Sequence, residues 1–420
     1  MGRKNEEISI TPLGGVDGGG HCFLYESNDS ALVVDCGGGI QTYNNRSESA
    51  CRLHVLDDIL QRRKRVIGVI THGHLDHIGA VAELLKRKIP VYLSEWSRRF
   101  LERYARKIPK GAEFTIVSEN ESIRYGDFQV SFISLQHSIP GALGILISLK
   151  KKNILHLGDF KFNGMEDSIG EFERTLKRIR QKVGRIDCLV LDVLNVEMEG
   201  YTPPEFQVID SLKKIIKKAR GRVIISFFSS NLRRMEKILK IGRSQKKTVG
   251  ISGYGMRSSY NLIERYLEGN FEIPPQDGQV ILIGGSQGEE NSGLAKMIWG
   301  EHRLLSISSR DTVVFSSRCI PGNEERMRVS LKELHKRGVK IILHQGEKEK
   351  LNLPFDEIKE EFVHVSGHGQ RDDILKAIEI LKPEMIIPFH ASPEKYSIFE
   401  NLIGNGRKIK RLSYLKTFKI

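Results

Sequence analysis

Thr71-His72-Gly73-His74-Leu75-Asp76-His77 sets three imidazoles and a carboxylate within six positions. The stretch follows the apolar run Val66 to Ile70, which reads as a strand, and precedes Ile78 to Lys86, where apolar residues recur at helical spacing. A chain leaving a strand is free to turn. His72 and His74 can therefore converge on one metal ion while Asp76 and His77, carried into the helix start, face a second. Isolated histidines are mostly ordinary surface or core residues, but four ligand-type side chains in one glycine-containing turn make that reading poor. Three further donors stand at the ends of downstream strands: His137 after the strand ending at Leu135, Asp159 after Ile154 to Leu157 through Gly158, and His390 after Met385 to Phe389. A carboxylate such as Asp159 can bridge two cations roughly 3.5 to 4 Å apart, as in two-metal hydrolases. Taken singly, each of these three is more often structural, and they gain force by joining the first cluster.

Around this cluster the chain has ordinary globular proportions. Its 420 residues are 39% hydrophobic and 28% charged, which excludes a fibrous repeat or a disordered tail as a description of the bulk. At roughly 100 to 200 residues per domain the length allows two to four domains. Five cysteines (Cys22, Cys36, Cys51, Cys188, Cys319), odd in number and without a C-x-x-C pair, suggest neither a disulfide framework nor a cysteine zinc knuckle, so a reducing cytoplasm is expected. Met1-Gly2-Arg3-Lys4-Asn5-Glu6 lacks an apolar leader, and the apolar runs fall short of the roughly 18 residues a spanning helix requires, so no membrane segment is expected. Lys plus Arg exceed Asp plus Glu by 66 to 52, a net +14. The surplus sits in Arg62-Arg63-Lys64-Arg65, Lys213-Lys214, Lys217-Lys218, Arg233-Arg234, Lys246-Lys247, Arg407-Lys408 and Lys410-Arg411, read mostly as solvated faces. A surplus of that size attracts a polyanion and favours nucleic acid over a small substrate, with binding that weakens as salt rises.

The rhythm of the chain changes near Pro203-Pro204. Before it, Ile8 to Thr11, Cys22 to Tyr25, Ala31 to Asp35, Val66 to Thr71 and Val91 to Leu93 are short β-branched runs, with helical stretches at Val55 to Leu60 and Ile78 to Lys86. Ser122 to Leu135 and Gly144 to Leu157 read as antiparallel pairs, so two mixed sheets covered by helices are expected. After it, strands at Val223 to Phe228, Thr248 to Ser252, Val280 to Gly284, Thr312 to Ser316 and Ile341 to His344 alternate with helical patterns, which predicts a second, parallel sheet domain. A strand at Phe362 to Ser366, a helix at Asp372 to Leu381 and the strand Met385 to His390 follow. The glycines at Gly14-Gly15 and Gly18-Gly19-Gly20 lack G-x-G-x-x-G spacing, so no dinucleotide site is inferred.

His72-Gly73-His74-Leu75-Asp76-His77 resembles the signature of the metallo-β-lactamase superfamily, with His137, Asp159 and His390 matching its later ligands and Asp35 its first, non-ligand aspartate. Thr11-Pro12-Leu13-Gly14-Gly15-Val16, Ser230-Asn231, Gly285-Ser286-Gln287-Gly288-Glu289, Ile320-Pro321-Gly322-Asn323-Glu324 and Val365-Ser366-Gly367-His368-Gly369 carry a closer resemblance to the β-CASP nucleases, within them the ribonuclease J family. It runs from about Ile8 to about Glu400 and implies an α/β fold: an αββα metallo-β-lactamase sandwich with an inserted β-CASP domain. The expected divisions are residues 1–204 and 356–420 for the sandwich and 205–355 for the insert.

The same resemblance implies the chemistry. His72, His74 and His137 would hold one zinc ion, Asp76, His77 and His390 the other, with Asp159 bridging; manganese or another divalent ion stays open. The zinc pair would acidify a water and neutralise charge on the phosphoryl group. Asp76 would orient that water, and Asp35 would fix a ligand histidine from behind. Asp192 and His368 match the family's acidic and histidine β-CASP motifs, with His368 at the scissile phosphate or the leaving oxygen. Ser286, Ser366, Gly367 and His368 would cradle a 5′ monophosphate, favouring 5′-to-3′ exonuclease action on single-stranded RNA. Gly-rich turns by themselves are more often mere connections. Alternatives are a β-CASP endonuclease acting on RNA 3′ ends or DNA, and a non-catalytic RNA-binding scaffold. A lactonase-like small-molecule hydrolase would need neither the insert nor the cations. Two positions depart from the family: Val193-Leu194 follow Asp192 in place of small hydroxyl residues, and Ala391-Ser392-Pro393 follow His390 in place of Gly-Glu-Tyr. With the sequence ending at Ile420, the C-terminal domain of many relatives is expected to be absent, and a homodimer through the remaining domains stays open.

Overall fold

In the computed structural model, which describes residues 7–17, 19–38, 51, 53–62, 64–102, 108–264, 267, 278–404 and 406–420, strand alternation sorts apolar side chains onto two opposed sheets. Gly18 of the glycine loop and Arg63 of the first basic run lie outside the described residues. Two compact units form among them: one runs to Thr202 and resumes from Gly367 to Ile420, the other spans Pro203–Ser366.

The first unit holds two seven-stranded sheets. One runs, in spatial order, Phe418–Lys419, Ser9–Pro12, Phe23–Glu26, Ser30–Val34, Arg65–Val69, Val91–Leu93 and Phe114–Ile116. The other runs Lys408–Ile409, Met385–Phe389, Cys188–Asp192, Lys152–Gly158, Leu143–Leu149, Phe128–Ser134 and Ser122–Tyr125. Successive strand residues point to opposite faces. Phe23, Tyr25, Leu32 and Val34 therefore meet Phe132, Ile145, Val190 and Ile387 in one buried core between the sheets. Their alternates, Leu24, Ala31 and Val33, pack outward on Leu56, Val81 and Leu84, while Leu155, Leu189 and Ile386 pack on Leu176, Ile374 and Ile378. Helix, sheet, sheet, helix is the result, the αββα sandwich.

In the second unit the strands Val249–Ser252, Val280–Ile283, Val223–Ser226, Thr312–Phe315, Lys340–His344 and Lys359–Glu361 form an all-parallel sheet in that order. Ile224, Ile281, Val313 and Ile341 bury one of its faces against Met297, Met327 and Leu331.

Two expected elements differ. The helix read over Ile78 to Lys86 is two pieces, Leu75–Ile78 and Val81–Lys86. The segment after Asp35 competes for its backbone: Gly38 N–H donates to Leu75 O at 2.9 Å, Cys36 N–H to His77 O at 2.8 Å, and Ala80 N–H to Cys36 O at 2.8 Å. This close approach requires glycine at position 37, where a Cβ would fall 1.7 Å from Asp76 O. The strand expected over Phe362 to Ser366 is instead Lys359–Glu361, at the sheet edge. Val363 and Val365 are buried without joining the ladder, because their segment is held by side chains: Ser316 Oγ donates to Val363 O at 2.5 Å, and His364 N–H donates to His344 Nδ1 at 3.2 Å.

Candidate metal centre

The parallel strands of the sandwich deliver their following residues to one end. Ser30–Val34 and Arg65–Val69 pair in parallel with Val34 opposite Val69, so Asp35 and the Thr71–His77 turn leave side by side. In the facing sheet, Asp192 lies opposite Phe389 and Gly158 opposite Leu191, so Asp159, Asp192 and His390 emerge from three adjacent parallel strands. Asp35 and His390 both have left-handed backbone, with φ of 61° and 55°. That conformation is uncommon outside glycine and concentrates at functional sites. The departure Ala391-Ser392-Pro393 begins a helix, with Ser392 capping Pro393–Ile403 and proline in its first turn.

Asp159 stands at the centre. Its Oδ2 lies 3.3 Å from His77 Nε2, 3.6 Å from His72 Nε2 and 3.9 Å from His137 Nε2, and its Oδ1 lies 3.4 Å from His390 Nε2. Asp76 Oδ2 lies 3.7 Å from His77 Nε2 and 3.9 Å from His390 Nε2. His74 turns its Nδ1 inward, 3.0 Å from Nε2 of both His72 and His137. All seven donors expected from the sequence are thus brought together. They fall into His72, His74, His137 and Asp159 on one side and Asp76, His77 and His390 on the other, ligand atoms within 4.8 Å of one another in each group.

The outer nitrogens of these rings are held. His77 Nδ1 lies 2.8 Å from Asp35 Oδ2, His137 Nδ1 2.7 Å from Gly367 O, and His72 Nδ1 3.0 Å from Thr71 Oγ1. Against a carboxylate or carbonyl the ring nitrogen must donate, so Nε2 of both His77 and His137 faces the centre, and that of the neutral His137 offers its lone pair. Asp35 is itself pinned by Thr71, whose N–H and Oγ1–H donate to it at 2.7 and 2.8 Å. A Cβ on Gly367 would reach 2.7 Å from the His137 ring, so glycine is required there too.

Electrostatics favour a cation. Burial lowers the pKa of His72 and His137 well below the usual imidazole value and that of His74 to about 4, so all three keep lone pairs at neutral pH. Burial alone would raise Asp159, but His77, His390 and His368 pull it well below the carboxylate range and it is ionised. Burial would also lower His77, yet Asp159, Asp35 and Asp76 lift it well above its ordinary value, so a cation that takes its Nε2 displaces a proton and inherits the attraction of these three carboxylates. Both Asp159 oxygens and the Nε2 atoms of His77 and His390 are buried without a hydrogen-bond partner. Such orphaned atoms cost about 1–3 kcal/mol each, and converging lone pairs of imidazole and carboxylate are the donor set of zinc. The residues fit the metal.

Beside this group, His368 Nδ1 donates to Asp192 Oδ2 at 2.8 Å and lies 3.7 Å from Asp159 Oδ2. Burial pulls His368 down, but Asp192 and Asp159 outweigh it and lift its pKa to about 9. Val193 and Leu194 place no side-chain hydroxyl here; Leu194 N–H instead donates to Asp192 Oδ1 at 2.9 Å. Ser286 is buried in the second unit, after the strand Val280–Ile283, and its carbonyl accepts from Gln287 Nε2 at 3.2 Å. Ser366 also belongs to the second unit, Gly367 and His368 to the first.

One residue at the centre was not singled out by the sequence. His21 Nε2 lies 3.1 Å from His390 Nδ1, and His21 groups with Asp76, His77 and His390. Burial first, then His390 and His77, hold it neutral. No motif spacing marked it, because it follows a glycine run and its partner lies 369 residues away. Among the basic runs, Lys213, Lys214, Lys217 and Lys218 are exposed on the helix Glu205–Lys218, but Arg234 is 1% exposed. It pairs with Glu205 at 2.5 Å and donates to Ser316 O at 2.7 Å, so it adds to the interior of its unit and not to a solvated face.

Replacing Asp35 by alanine is expected to weaken metal binding roughly 10- to 100-fold, the usual effect of losing a partner behind a ligand histidine. Titration with a competing chelator checks it; unchanged affinity would count against the role of Asp35.

An αββα sandwich carrying a histidine- and aspartate-lined centre, with an all-parallel sheet domain set into the chain, defines a β-CASP member of the metallo-β-lactamase superfamily. Residues 15–221 match the metallo-beta-lactamase superfamily, residues 220–334 the beta-CASP domain of ribonuclease J, and residues 357–410 the Zn-dependent metallo-hydrolase RNA specificity domain. A ribonuclease J of Sinorhizobium meliloti is 33% identical over 411 residues, covering 92% of this chain and 69% of the relative. A ribonuclease J of Mycolicibacterium smegmatis is 29% identical over 407 residues, with the same coverage. The chain belongs to the ribonuclease J family. Among solved structures, a protein of unknown function from Enterococcus faecalis V583 shares the fold, with a TM-score of 0.66 at 16% identity, covering 99% of this chain and all of the other. Among the described residues no helix is long and apolar enough to cross a membrane.

Proposed function

We propose that this protein is a zinc-dependent ribonuclease that hydrolyses phosphodiester bonds of single-stranded RNA, acting from a 5′-monophosphorylated end in the 5′-to-3′ direction with internal cuts as a secondary activity, in cytoplasmic RNA processing or decay. The carrying observation is the set of buried, unpartnered donor atoms around Asp159, in a chain whose relatives are named ribonuclease J. In this reading His72, His74 and His137 hold one zinc ion, Asp76, His77 and His390 the other, and Asp159 lies between them. When bound, the pair supplies Lewis acidity that activates water near neutral pH and neutralises charge on the phosphoryl oxygens. Manganese in place of zinc is compatible with the donors.

The chain's own residues do the rest. Asp76, the one ligand carboxylate with appreciable side-chain exposure (17%), orients water and accepts its proton. His368, held by Asp192 and protonated at neutral pH, donates a proton to the departing ribose oxygen. Asp35 and His21 are positioning residues: the first fixes His77, the second His390. The RNA-contacting roles of Ser286 and Ser366, and of Gly367 and His368, rest on the family resemblance. The net charge of +14 draws the polyanion and makes affinity fall with salt.

The test is end-labelled RNA and DNA carrying 5′ monophosphate, triphosphate or hydroxyl ends, incubated with zinc- and with manganese-loaded protein. Mononucleotides released from 5′-monophosphorylated RNA are expected as the main product, with internal fragments in the minority. Internal fragments as the main product regardless of the 5′ group would instead identify an endonuclease, and binding without cleavage a scaffold.

A further inference from the structure

Three cysteines that the sequence scatters come together in the outer apolar layer of the first sheet. Cys22 precedes the strand Phe23–Glu26 and Cys36 follows the strand Ser30–Val34, and these strands pair with Phe23 opposite Val34. The two chain ends stay joined beyond the ladder, where Gly37 N–H donates to His21 O at 2.9 Å. Cys51 arrives from a separate segment, its Sγ–H donating to Gly37 O at 3.1 Å. The three sulfurs lie within 4.8 Å of one another, with Cys22 and Cys36 wholly buried and Cys51 8% exposed. Buried cysteines are commonly plain small hydrophobes, as Cys188 is in the core between the sheets. Packing does not require three of them, from three segments, to turn their sulfurs to one point.

We propose that Cys22, Cys36 and Cys51 form a second metal site, separate from the hydrolytic centre, that takes one soft divalent d10 ion. A donor group made only of sulfur selects thiophilic ions over the hard ions that suit carboxylate and water. Sulfurs about 2.3 Å from a central ion in a trigonal plane stand ~4.0 Å apart, so the cluster closes on an ion by sub-ångström movement. The surroundings set the charge. Leu13, Leu24, Val33 and Leu53 share the layer, and a net charge buried among them is costly, so a divalent ion is held by two thiolates and one thiol. Binding therefore displaces two protons, one from each sulfur that becomes a thiolate. Cys22 adjoins His21 and Cys36 adjoins Asp35, so the ion would tie together the two backbone segments that position His390 and His77. The site does not depend on the RNA-hydrolysis reading.

Cadmium ion, titrated into the reduced full chain, is the probe. Nitrogen and oxygen donors of the hydrolytic centre give no thiolate-to-metal charge-transfer band in the near ultraviolet, so only the cysteine site is read. With the hydrolytic centre first loaded with manganese, one equivalent of cadmium is expected to saturate the band and to protect Cys22, Cys36 and Cys51 from alkylation as mapped by peptide mass spectrometry. Cys51→Ser should abolish the band and Cys188→Ser and Cys319→Ser should retain it, with circular dichroism reporting that each variant is folded. The alkylation map needs no variant and stands if Cys51→Ser misfolds. No band in the wild type, a band undiminished in folded Cys51→Ser, or a disulfide joining two of the three in protein purified without reductant would each overturn the proposal.

Discussion

Asp159→Asn is expected to leave a folded protein that has lost bound zinc and essentially all turnover. Among the described residues, the carboxylate is the one anion within 4 Å of Nε2 of His72, His77, His137 and His390 at once. Asparagine keeps the shape but removes the charge that offsets the cations, and turns an N–H₂ group toward lone pairs that need a positive ion. Loss of a partner behind a ligand already costs roughly 10- to 100-fold in affinity or activity, and loss of the shared ligand should exceed that. The fold does not depend on this residue, since the sandwich core is built from apolar side chains of both sheets. Elemental analysis, turnover and thermal melting on one preparation check the expectation. A variant that keeps its zinc and its activity would remove Asp159 from the centre.

His368→Gln should keep its metal and lose about 10²- to 10⁴-fold in kcat, the usual contribution of a positioned acid. The pH dependence has a definite sign. With its pKa lifted to about 9 by Asp192 and Asp159, against burial, His368 is protonated at pH 7 and gives up its proton as pH rises through that value. Activity limited by this acid therefore falls on the alkaline side. Cations on Asp159 offset one of the two lifting charges, so in the loaded enzyme the limb lies below 9; Asp192→Asn should move it further down, and His368→Gln should remove it. A profile of kcat against pH under saturating RNA reads all three. If His368→Gln kept both the wild-type rate and the wild-type alkaline limb, the acid would have to be sought elsewhere.

These expectations lean on residues of very different legibility. The turn from His72 to His77 announces itself because strand end, glycine and four donors are contiguous. His137, Asp159 and His390 are legible one step further, as donors at strand ends, since parallel strands in one sheet release their following residues at a common edge. His21 was not legible: its use comes from a ring meeting His390 across 369 residues. The same holds for Cys22, Cys36 and Cys51, whose spacings of 14 and 15 residues carry no ligand pattern, although their sulfurs converge. Arg234 misled in the opposite direction, because composition counts a cation without saying that Glu205 and Ser316 bury it.

What the sequence by itself determined is the fold class and the identity of the seven clustered donors, because both are written in local order: β-branched runs of period two, helical spacing after Pro203-Pro204, and ligand-type residues where strands stop. What only the tertiary structure decided is everything set by competition between distant groups. The segment after Asp35 takes carbonyl bonds from the helix after His77 and splits it. The outer nitrogens of His77, His137 and His390 meet Asp35, Gly367 and His21, which sets the rings in place. Local propensity is a property of neighbours along the chain, whereas a hydrogen bond or a lone pair is satisfied by whichever group the packing brings within about 3 Å.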